Sequence, residues 1–138
     1  MPGNSSWGKY KNGLVAVYTK ELTREAIFNA IKNRRCYATT NARILGYFNI
    51  NGNISGSEID HNGNKPLKIK VEFFGTGDIE FVEIVKNGKI ISSTPGTGRN
   101  FEIEIEDTTE KKGLNYYYVR MKQTDGEMAW LSPIFVNA

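Results

Sequence analysis

The sequence predicts a mainly β fold, an antiparallel immunoglobulin-like β-sandwich of about seven to eight strands preceded by one N-terminal α-helix. Three observations carry that expectation. From Arg43 onward the apolar residues recur with a period of two, the spacing of strands with one dry and one wet face. Turn residues punctuate the same stretch roughly every ten positions. Asn51-Gly52 and Asn87-Gly88 are dipeptides that supply the positive φ angles of tight hairpins.

The elements follow in order. Residues 1–12 combine Pro2, Gly3, Asn4, Ser5, Ser6, Gly8 and Asn12, a loop or extended composition unless Trp7 docks. Residues 14–18 are a short apolar strand. Thr23 is suited to an N-cap, and Leu22 and Ile27 stand where a hydrophobic staple needs them, so a helix starts at about Arg24. Ala26, Ile27, Ala30 and Ile31 form a narrow apolar stripe on it, a candidate interdomain or dimer face. Lys32, Arg34 and Arg35 near its C-terminal end complement the helix dipole, a reading preferred to an anion site.

Strands are then expected at 44–50 and 54–59, on either side of the Asn51-Gly52 turn. Ile69, Val71 and Phe73 alternate with Lys68, Lys70 and Glu72, and Phe101, Ile103 and Ile105 with Glu102, Glu104 and Glu106. Residues 79–86 and 89–92 make the clearest hairpin, 93–100 reads as a loop, and 115–123 and 127–136 make a second hairpin. Pro133 is expected to push the last strand to a sheet edge, because it has no N–H to donate. The domain reading divides the chain into residues 1–45, a loop, strand and helix, and residues 46–138, the sandwich.

Composition narrows the function classes. The chain has 138 residues, 18 basic and 15 acidic, for a formal charge of +3. The basic residues alternate with Glu along the strands, which argues against a nucleic-acid surface. No apolar run approaches the roughly 18 residues of a membrane span, and no basic segment leads into an apolar one, so a soluble chain without signal is expected and its compartment is open. The single Cys36 rules out an internal disulfide.

Chemistry-bearing residues are sparse. His61 sits alone in a polar loop, reading as solvated rather than as a ligand. Cys36 follows Arg34 and Arg35, which would favour the thiolate, but a packed role at a helix–strand junction is preferred. The Glu102, Glu104 and Glu106 row is balanced by lysines on a neighbouring strand, so no metal site is assigned to it. Gly96-Thr-Gly98 lacks the helix and the Lys-Ser/Thr pair of a phosphate loop. No catalytic, cofactor-binding or metal-ligating residue is therefore assigned. Tyr116, Tyr117 and Tyr118 must alternate between faces, and Tyr116, Tyr118 and Trp130 form a candidate binding surface. Cross-strand packing explains the same residues without a ligand.

Several stretches carry a family resemblance: Gly13-Leu-Val-Ala-Val-Tyr18, Glu21-Leu-Thr-Arg-Glu-Ala26, Asn33-Arg-Arg-Cys-Tyr-Ala-Thr-Thr40 and Ala42-Arg-Ile44, with Val82-Glu-Ile-Val-Lys-Asn-Gly88, Tyr117-Tyr-Val-Arg120 and Asp125-Gly-Glu-Met-Ala-Trp-Leu-Ser-Pro133. Together they resemble the C-terminal part of PHP-type (polymerase and histidinol phosphatase) metal-dependent hydrolases. The resemblance implies a barrel with a multi-metal site upstream, residues 13–45 as its last strand and helix, and residues 46–138 as an appended sandwich. Pro2-Gly3 would follow the last metal segment. The His and Asp ligands of that family match no position here, so the chain alone is expected to be noncatalytic, with divalent metals only in the parent domain. The function so implied is a noncatalytic accessory domain that supports or orients the catalytic barrel, its partner. A carbohydrate- or surface-binding module is the alternative, and a homodimer another way to cover the helix stripe.

Overall fold

The period-two alternation resolves into two facing sheets in the computed structural model, which describes residues 13–61, 65–108 and 112–138. In chain order the elements are β1 (Leu14–Val17), α1 (Arg24–Lys32), β2 (Cys36–Thr39), β3 (Leu45–Ile50), β4 (Asn53–Ile54), β5 (Glu58–Asp60), β6 (Leu67–Phe74), β7 (Ile79–Lys86), β8 (Lys89–Pro95), β9 (Asn100–Asp107), β10 (Leu114–Gln123), β11 (Met128–Leu131) and β12 (Ile134–Asn137). Strands β3, β4, β6 and β9 form a four-stranded sheet in the order β4-β3-β6-β9. The remaining eight form the larger sheet around β10. The fold is the expected immunoglobulin-like sandwich with one helix ahead of it. Expectations for Trp7 and the rest of 1–12, and for 62–64 of the His61 loop, fall outside the described residues.

Strand β10 is long enough to organise the large sheet. One side pairs with β7, from Tyr117 opposite Lys86 to Gln123 opposite Ile79, while the other is shared by β11 and β12. The division between those two falls at Ser132 and Pro133, where the sequence suggests one continuous strand. Pro133 does not place a strand at the edge as expected. β11 lies between β10 and β2, and β12 between β10 and β5. The missing N–H is accommodated by interrupting the strand, and the Pro133 carbonyl accepts a hydrogen bond from Gly56 N at 2.9 Å.

The expected strand at 54–59 is also divided. β4 belongs to the small sheet, and β5 runs parallel to β12 in the large one. Gly56, at φ +88°, turns the corner between them. β8 extends through Pro95, so the predicted loop at 93–100 shrinks to four residues, and β9 begins at Asn100. Both Asn-Gly turns keep positive φ at each residue, 49° and 82° at Asn51-Gly52 and 51° and 83° at Asn87-Gly88.

The core lies between the sheets. Phe48, Ile50, Ile69, Val71 and Phe73 face Val82, Ile84, Tyr117, Val119, Met121, Leu131, Ile134 and Val136, all buried. Gly46 admits close contact of the sheets, since a Cβ there would meet Leu131 and Phe73 at 2.7 Å. One polar strut crosses the core's margin: the Tyr117 hydroxyl donates to Asp107 Oδ2 at 2.6 Å, and Lys86 Nζ pairs with the same oxygen at 2.7 Å. β1 pairs with β2 and β2 with β11, so residues on both sides of the 45/46 division share one sheet.

Candidate functional site

The end of the sandwich that carries α1 has the most developed surface. Thr23 caps the helix as expected, its hydroxyl oxygen accepting from Ala26 N at 3.1 Å. The staple does not form: Leu22 is 91% exposed and covers nothing on the helix. At the other end Arg34 takes φ +59° and the helix closes in a Schellman motif, Arg34 N to Ile31 O at 3.0 Å and Arg35 N to Ala30 O at 2.7 Å.

That closure aims two guanidinium groups at the β4–β5 corner. Arg34 donates to Gly56 O and pairs with Glu58 at 2.9 Å, and Arg35 donates to Ile54 O, Ser55 O at 2.6 Å and Ser57 Oγ. The basic cluster is thus a clamp on backbone carbonyls, a role that helix-dipole reasoning at Arg34 and Arg35 did not supply. Gly56 is required beneath it, since a Cβ there would lie 2.4 Å from Arg34 O. Arg34 also stands over the Phe135 ring, 5.5 Å from its centroid.

Helix α1 is attached mainly by these polar contacts. Of the expected stripe, Ala30 is buried, Ala26 and Ile27 are half-buried, and Ile31 is 51% exposed. Phe28 was missing from that stripe and is 63% exposed. Its spacing of three from Ile31 is the signal that would have found it. Ala26 and Ala30 line an open groove of about 540 Å³ together with Tyr18, Arg35 and Ile54.

The aromatic candidates lie elsewhere. Tyr116, Tyr118 and Trp130 all sit on the outer face of the large sheet, while Tyr117 between them is buried. They do not form a stack, and among the described residues no ring pair joins them. Trp130 stands opposite Arg120, whose Nε reaches Glu83 at 2.5 Å, and this ion pair occupies the neighbouring register position. Tyr116 lies instead opposite Phe135.

The remaining sequence candidates have ordinary partners. His61 Nε2 meets Lys65 O at 2.6 Å, and Ser132 Oγ donates to Cys36 O at 2.5 Å beside the thiol. Glu106 and Glu104 face Lys68 and Lys70 in register, the charge balance the sequence suggests. Among the described residues no three His, Cys, Asp or Glu side chains gather to hold a metal, and no helix is long and apolar enough to cross a membrane.

Fold and surface together define a β-sandwich module closed at one end by a lightly packed helix. Residues 2–65 match the family described as "Protein of unknown function (DUF3604)". The chain is 34% identical to an uncharacterized protein of Chlamydia muridarum, over 97% of this chain and 24% of the relative. Uncharacterized proteins of Chlamydia pneumoniae and Chlamydia trachomatis match at 34% over 94% and 97% of this chain. The chain therefore spans about a quarter of the length of the curated relatives it matches. Among solved structures it is similar to one described as "Structures of Clostridium thermocellum CbhA fibronectin(III)-like modules", with TM-score 0.43 and 18% identity, covering 66% of this chain and 94% of that one. The family match ends just beyond β5 and includes strands of both sheets, so its limit is not a boundary of the fold.

Proposed function

We propose that this chain is a noncatalytic accessory sandwich of a longer protein, seated on the remainder of that protein through the exposed face of α1. The observation that carries the reading is the helix itself, which leaves Phe28 and Ile31 in solvent, with Leu22 exposed just ahead of its cap, while arginines at its C-terminal end clamp it to backbone carbonyls of its own sandwich. Three large apolar side chains at one end of a module form the kind of patch that marks an interface. Relatives about four times as long support a covalently joined occupant for that interface. The resemblance to PHP-type hydrolases supports a metal-dependent catalytic barrel as that occupant, with the divalent metals held there and the sandwich supporting or orienting it.

The test is association. With the rest of the longer polypeptide produced separately, this chain should bind it, and a Phe28→Ser/Ile31→Ser double variant should lose binding while keeping its own unfolding midpoint. Equal binding by the variant would remove α1 as the interface. Metal analysis of the purified chain, with phosphoesterase assays in added manganese or zinc, tests the noncatalytic part: stoichiometric metal with turnover would overturn it.

A further inference from the structure

A second cleft, of about 400 Å³, lies on the outer face of the small sheet, and Tyr18 and Ile54 separate it from the groove beside α1. Tyr18 and Tyr47 pack against each other as one aromatic wall of it, their ring centroids 5.8 Å apart and planes tilted by 42°. Phe74 meets Tyr47 edge-on at 6.4 Å and fixes it from behind. Asn49, Ser55 and Glu72 supply the polar lining. Ser55 is 1% exposed, and its hydroxyl completes no hydrogen bond of good geometry, the Tyr18 phenol being the polar group against it.

Glu72 gives the cleft its sign. It lies in register between Tyr47 on β3 and Glu102 on β9, so a like charge faces it across the sheet. Lys70, two residues from Glu72 on the same face, reaches Glu102 at 3.9 Å, Lys68 stands opposite Glu106, and among the described residues Glu72 has no ion pair or hydrogen bond. A half-buried carboxylate beside tyrosine rings and opposite another carboxylate is a site short of a cation.

We infer that this cleft binds a guanidinium group, its flat face on the Tyr47 ring and its fork on the Glu72 carboxylate. A quaternary ammonium would use the rings but has no N–H for Glu72 or the Asn49 carbonyl. An alkylammonium would pair as a point charge without the planar match. The same chemistry comes from a free guanidinium compound or from an arginine of a polypeptide. This inference is independent of how α1 is covered, and its failure would leave the accessory reading untouched.

The experiment is an NMR titration of the full chain with ethylguanidinium, acetyl-Gly-Arg-Gly-amide and tetramethylammonium. Saturable shifts of the amides of Tyr47, Ser55 and Glu72 are expected with the first two. Glu72→Gln should weaken them about tenfold, the scale of a lost hydrogen bond to a charged group. Its unfolding midpoint should not fall, since the substitution relieves the repulsion with Glu102. Tighter binding of the peptide than of ethylguanidinium assigns the site to a polypeptide arginine, and equal binding to a free compound. No saturation, shifts unaffected by Glu72→Gln, or stronger binding of tetramethylammonium would overturn the inference.

Discussion

The two ends of this molecule's architecture are built from different interactions. Between the sheets, side chains such as Phe73, Ile69, Tyr117 and Val119 are fully buried, and stability comes from apolar area removed from water. At α1 only Ala30 is buried, and attachment comes from arginine hydrogen bonds to the 54–58 corner. The second region holds its position and leaves Phe28 and Ile31 uncovered.

The contrast is sharpest under large-to-small substitution. Phe73→Ala removes a ring at 0% exposure that packs beside Gly46, and it should cost about 4 kcal/mol in chemical denaturation. A loss under about 1 kcal/mol would mean that the sheets can collapse onto the gap, so the core would not be the rigid region described. Gly56→Ala attacks the other region. It places a Cβ against the Arg34 carbonyl at a φ of +88°, and a loss of about 2 kcal/mol is expected. Amide shifts should change mainly in α1 and at 53–58. Changes spread through β6 and β10 instead would show that helix and core are one cooperative unit.

The sandwich was legible because alternation is local: Ile69, Val71 and Phe73 announce their shared face without reference to anything distant. The Asn-Gly hairpins were legible for the same reason. The sheet switch at Gly56 was not, because it depends on where the C-terminal end of α1 lies, at Lys32, far earlier in the chain. Pro133 misled in the same way, since a proline announces an interruption of pairing but not whether the strand moves to an edge or divides. Among the site residues, Tyr116, Tyr118 and Trp130 could be placed on a face by parity alone. That Arg120 and Glu83 stand beside Trp130 required the register of β10 with β7 and β11. The Glu72 cleft required Tyr18 and Tyr47 to meet from segments 29 positions apart, a contact no periodicity encodes.

The smallest expected effect at neutral pH separates the two regions by titration. Tyr117, in the core, is pushed above its ordinary value by burial and by the Asp107 carboxylate that accepts its hydrogen bond. Tyr18, beside α1, is raised by burial and by its neighbours Tyr37 and Tyr47, and its hydroxyl donates to Gly46 O. In each case the folded protein keeps a proton that the unfolded chain releases near pH 10. The stabilisation is whole below that pH and is lost as pH rises above it, because the unfolded state then binds fewer protons. Urea midpoints followed from about pH 8 to about pH 11 should hold and then fall. Tyr117→Phe should cost about 1 kcal/mol at pH 7, and both it and Tyr18→Phe should flatten the alkaline fall. If only Tyr117→Phe flattens it, the Tyr18 seam opens before the sheets separate, and helix and sandwich unfold as distinct units.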